Sequence, residues 1–66
     1  MYVIMKDGFL FDPIKVEWRN ENDAMLHLHD FTFREIEHAR FYRKKYAKNA
    51  TIFKITGFDI IRAKGE

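Results

Sequence analysis

Cysteine and serine are both missing from these 66 residues. Without cysteine there is no disulfide framework and no thiolate zinc site. A chain this short must then hold its fold by packing alone or with a partner subunit. Without cysteine and serine, the nucleophiles left are threonine, lysine and carboxylates. Glycine occurs only three times, at separated positions that cannot form a glycine-rich phosphate cradle. No apolar run approaches the ~20 residues of a membrane-spanning helix. The opening Met1-Tyr2-Val3-Ile4-Met5 lacks the charged lead and apolar stretch of a secretory signal. Asp7, Asp12, Asp23 and Asp30 stand where turns and caps want aspartate. A cytoplasmic protein, with no membrane contact, no cofactor and no catalytic residues, is expected; it is read as not an enzyme.

Hydrophobic residues make up 47% of the chain and aromatics 17%, too apolar for disorder. One small monomer cannot bury so much aromatic surface, so a homodimer is expected. Twelve basic and ten acidic residues leave a net charge of +2, far from a polycation. The asymmetry is local. Arg34, Arg40, Arg43, Lys44, Lys45 and Lys48 cluster against only Glu35 and Glu37.

One domain spanning residues 1–66 accounts for the whole length. Tyr2 to Met5 and Phe9 to Phe11 read as strands joined through Lys6-Asp7-Gly8, because Asp-Gly tolerates positive φ at a tight hairpin. Asp12-Pro13 interrupts the second strand. Ile14 to Arg19 alternates, with Ile14, Val16 and Trp18 on one side; Ala24 to His29 alternates again, with Ala24, Leu26 and Leu28 together. A three-residue loop would make these two apolar faces coincide. Thr32-Phe33-Arg34-Glu35 has the form of a capping box, with Phe31 placed to staple against Ile36. The helix it opens runs to Lys48, closed by Asn49 in a left-handed conformation. Phe33, Ile36, Ala39, Tyr42, Tyr46 and Ala47 form its apolar arc, with Arg40 and Arg43 snorkelling inside it. Thr51 to Ala63 is β-rich, and the apolar phase slips at Gly57, which marks a bulge or a turn. The expected fold is α+β: a small antiparallel sheet of β-hairpins with one helix packed across it, in the order β-β-β-β-α-β. Its core would be Ile14, Val16, Trp18, Leu26, Leu28, Ile36, Phe53 and Ile55.

Two constellations bear on function. His27-Leu28-His29 on a strand would set two imidazoles on one face with Glu17 across from His27, a possible but incomplete metal set of Glu17, His27 and His29. The commoner origin of such a pattern is a wet sheet face. The second constellation is the basic helix. Phe41 falls outside its apolar arc, among basic residues, and a solvated helix has no need of it there. Arg34, His38, Phe41, Lys44, Lys45 and Lys48 are therefore the expected partner-binding residues. Basic residues interleaved with aromatics suit nucleic acid; an exposed phenylalanine ringed by lysines equally suits a protein interface. The low net charge favours the protein partner, and the bland alternative is a solvated charged face.

Tyr2-Val3-Ile4 before Asp7-Gly8-Phe9-Leu10, Trp18 with Asn22-Asp23-Ala24, a helix, and then Ala50-Thr51-Ile52-Phe53-Lys54-Ile55 together resemble small proteins encoded by phages of Gram-positive bacteria. Some of these are counter-defence proteins, including anti-Hachiman-type inhibitors that act as homodimers. The resemblance implies a non-enzymatic binder that disables a host protein in the host-cell cytoplasm. The shared motifs are those of hairpins and turns, and no functional residue carries over.

Overall fold

The computed structural model describes residues 1–57 and 59–63. Five strands make one sheet in the order β3-β2-β1-β4-β5, every neighbouring pair antiparallel. The strands are β1 (Tyr2–Lys6), β2 (Phe9–Asp12), β3 (Glu17–Asn20), β4 (Thr51–Thr56) and β5 (Asp59–Arg62). Between β3 and β4 lie α1 (Glu21–Met25), a 3-10 helix (Leu28–Phe31) and α2 (Ile36–Tyr46). The class is α+β, with a helix packed across an antiparallel sheet.

The β1–β2 hairpin follows from its turn residues. Lys6 pairs with Phe9 across a two-residue loop, and Asp7 and Gly8 take φ of +50° and +83°, the left-handed geometry that matches strand twist. At Gly57, φ is +57° and the chain turns between β4 and β5, so the phase slip marks a turn; Phe58 lies outside the described residues.

The segment from Ala24 to His29 is not a strand. Asn20 accepts a hydrogen bond on its side chain from the Asn22 amide at 2.9 Å, and Glu21 and Asp23 occupy the first turn of α1. A cap and acidic residues at the positive end of a helix outweigh six residues of alternation. The preceding strand is also shorter than its pattern. Asp12 is buried, and its carboxylate accepts the Ile14 and Lys15 amides at 2.9 and 3.1 Å. That turn bends the chain out of the sheet, so Pro13, Ile14, Lys15 and Val16 form a loop between the paired Asp12 and Glu17. Val16 ends the loop at φ +53°, an unusual place for a β-branched residue. Its side chain is exposed, so little packing is at stake. Val16→Gly is expected to raise stability by about 0.5–1 kcal/mol, because the left-handed penalty of ~1–2 kcal/mol exceeds the added chain entropy. A thermal melt shifted upward by several degrees checks it; a lower midpoint refutes it.

The helix is shorter than its pattern at both ends. Phe33 pairs with Tyr2, the Tyr2 amide donating to the Phe33 carbonyl at 2.8 Å and the Phe33 amide to the Tyr2 carbonyl at 2.7 Å. That pairing keeps the chain extended through the expected capping box. Thr32 Oγ1 instead donates to the His29 carbonyl at 2.9 Å, and Glu35 precedes α2 with no side-chain cap bond. The staple does not form, because Phe31 and Ile36 belong to different clusters. At the far end Ala47 caps α2, its amide donating to the Arg43 carbonyl, and Asn49 is not left-handed.

Both faces of the sheet are packed, as strand alternation dictates. Ile4, Phe11 and Ile52 face α2 and meet Phe33, Ala39, Ala47, Ala50 and Ala63. Val3 and Leu10 face the other way and meet Ala24 and Phe31. Of the expected core, Leu28, Ile36, Phe53 and Ile55 pack at its margins, whereas Ile14, Val16, Trp18 and Leu26 are exposed. The centre is built instead from β1, β2 and β4, with alanines where helix and sheet approach closely.

Candidate functional site

Ile36, Ala39, Tyr42 and Ala47 turn toward the sheet. Phe41 follows Ala39 by two residues and so points about 200° away from it. It is 59% exposed, which agrees with the helical phase read from the sequence. Its ring meets Tyr42 edge-on at 5.8 Å. One turn later, the Lys45 ammonium lies 5.7 Å from the Phe41 ring centre and 5.4 Å from that of Tyr46. Those distances suit cation–π attraction to both rings.

His38 and Lys44, three residues before and after Phe41, share its exposed side of the helix. Arg34 and Lys48 are exposed but lie outside α2, before its first turn and after its last. The structure thus joins Phe41, Lys45, His38 and Lys44 into one stripe and leaves Arg34 and Lys48 at its two ends. Glu37 occupies the first turn of α2 and Arg43, Lys44 and Lys45 the last, so positive charge concentrates toward the C-terminal end.

The aromatic surface continues beyond the helix. Tyr46 stacks on Phe11 at 5.9 Å, and Phe11 meets Trp18 edge-on at 5.4 Å. Phe11 itself is buried, but Tyr46 and Trp18 at either side of it are exposed. Phe9, two residues before Phe11 on the same strand, shares this face. It lines a shallow depression with Lys6, Asp7 and Trp18. Phe9, Trp18 and Tyr46 are the surface residues that the sequence reading did not assign to a site. The signal for Trp18 is the four-residue loop after Asp12, which sets it opposite Phe11.

The metal set does not assemble. His27 precedes the 3-10 helix and His29 lies on it, so the strand geometry that aimed both imidazoles one way is gone. His29 Nε2 lies 3.2 Å from Asp30 Oδ1, and Glu17 pairs with Arg19 at 3.0 Å. Among the described residues no three histidine, aspartate or glutamate side chains converge as a metal site would require. No helix among them is long and apolar enough to cross a membrane.

Comparison with known protein families, with characterised proteins and with solved structures finds no match for this chain.

Proposed function

We propose that this chain is a non-enzymatic protein-interaction module, a phage-encoded inhibitor that binds a host defence protein in the host-cell cytoplasm and acts as a homodimer. The observation that carries the interaction reading is Phe41, 59% exposed on the side of α2 turned from the sheet, with Lys45 over its ring. Folding gains little from that ring. An exposed aromatic inside a basic rim has the form of an interface anchor, and lysines around it select an acidic partner surface. The phage origin and the host target come from the resemblance described above.

Phe41→Ala is expected to leave the thermal midpoint close to wild type while weakening partner binding 5- to 150-fold, about 1–3 kcal/mol. Lys45→Glu with Lys48→Glu should slow association and flatten its salt dependence. The partner is found by capture from a bacterial lysate, with and without nuclease, and affinity is then measured by titration. Unfolding by Phe41→Ala would place the ring in a core or a seam. Unchanged affinity would reduce the basic stripe to solvated charge.

The exposed rings of Phe41 and Tyr46 beside Lys44 and Lys45 favour a second reading, a small nucleic-acid-binding module on which bases stack between phosphate contacts. Capture that nuclease abolishes selects that reading.

A further inference from the structure

The two edges of the sheet are unlike. β3 carries Glu17 and Arg19, tied in an ion pair, and runs directly into α1; charge and a covering turn are the usual protections of an edge. β5 carries charge only at its two ends, Asp59 and Arg62, and has two isoleucines at its middle, Ile60 half-buried and Ile61 51% exposed. The Ala63 amide donates to the Ile52 carbonyl at 3.0 Å. Since alternate residues of an antiparallel strand bond to the same neighbour, Ile61 and Asp59 also bond toward β4. Ile60 therefore turns its amide and carbonyl outward, at the end of the strand order.

We infer that β5 is a homodimer seam, pairing antiparallel with β5 of a second copy about Ile60. This deepens the homodimer part of the function proposed above. Symmetry limits the register. A two-fold axis that sets two edge strands antiparallel runs normal to the sheet and keeps each face on its own side. Directly opposed residues share a face, so they must be of equal parity, and centring the pairing on Ile60 sets its outward groups against those of Ile60 in the second copy. The two residues then exchange both hydrogen bonds. Asp59 falls opposite Ile61 of the second copy, so no like charges meet at these positions.

The side chains support a second copy of this chain as the occupant. Ile60 pairs with Ile55 across β4–β5, and both are partly buried against the Val3–Leu10 cluster, with Phe53 and Met5 beside them. α1 and the 3-10 helix pack over β2 and β3, away from this row. Self-pairing extends it as Ile55–Ile60–Ile60–Ile55 across the seam, apolar against apolar. A net charge of +2 per chain opposes association only weakly at physiological salt. The same axis leaves both α2 helices on one side of the joined sheet, so two Phe41–Lys45 stripes face the same direction.

Light scattering across micromolar concentrations tests the seam, with residue-resolved hydrogen exchange on the wild-type protein. The expected mass rises to twice 8.0 kDa. The Ile60 amide should gain protection with concentration, while the Ile61 amide, bonded to β4, stays protected throughout. Ile60→Pro removes an outward amide that β4 does not use, and proline is tolerated at such edge positions. It should hold the protein at 8.0 kDa with a cooperative melt. Ile61→Glu, which changes an exposed side chain at the edge and sets a carboxylate opposite Asp59 of the second copy, should do the same if the proline variant fails to fold. A wild-type mass fixed at 8.0 kDa overturns the inference. So does a dimer in which the Ile60 amide exchanges freely, since its seam lies elsewhere. Neither result bears on binding through Phe41, which is read separately by titration of Phe41→Ala.

Discussion

Phe11→Ala is expected to cost about 3–5 kcal/mol, enough to abolish the cooperative melt of so small a domain. The ring is 2% exposed and is touched by Trp18, Tyr42 and Tyr46. Truncation removes a fully buried ring from the α2 face and leaves a cavity that three other rings cannot close without moving. Trp18→Ala makes the contrast. Trp18 lies on the edge strand and is 37% exposed, so its loss should lower the midpoint less than Phe11→Ala does. Circular dichroism melts of the two variants decide between them. A Phe11→Ala protein melting near wild type, or a Trp18→Ala protein that is the less stable of the pair, would relocate the core toward β3.

The second large effect lies on the opposite face. Leu10→Ala should destabilise by about 2–5 kcal/mol, because Leu10 is fully buried with Val3, Ala24 and Phe31. Leu26→Ala should change stability by no more than about 0.5 kcal/mol, since its side chain is 77% exposed. The pair separates the observed α1 and 3-10 path from a fourth strand through Ala24 to His29, which would bury Leu26. Denaturant titrations with equal slopes measure both. A Leu26→Ala loss comparable to that of Leu10→Ala would favour the strand.

Much of the architecture is legible in the residues. Asp7-Gly8 specifies its hairpin because few other pairs accept two positive φ values. The phase of α2 is legible because Ile36, Ala39, Tyr42 and Ala47 keep a 3.6-residue period, and that phase is what exposes Phe41. The alternation at Ile14 to Arg19 and at Ala24 to His29 misleads for a physical reason. Local hydrogen bonds compete with the ladder, and Asp12 and Asn20 each divert the chain by capturing nearby amides. The extended segment before α2 is decided by the Phe33–Tyr2 pairing, a contact between distant residues that no short window contains. The same holds for Tyr46, whose stacking on Phe11 depends on how α2 crosses the sheet.

The position of β1 sets an order of assembly. β1 is the middle strand, with β2 on one side and β4 on the other, and Tyr2 pairs with Lys54. The β1–β2 hairpin closes over two residues and forms on a timescale of about 1–10 μs. The β1–β4 ladder must wait for a loop that spans most of the chain, and long closures slow folding. Until β4 arrives, one whole side of β1 stands open, with Val3 and Ile4 exposed on its two faces. A hairpin formed first would leave that edge unpaired, and the docking of β4 ends the exposure. Conditions that retard this one step should therefore raise losses to aggregation during refolding without altering the finished protein.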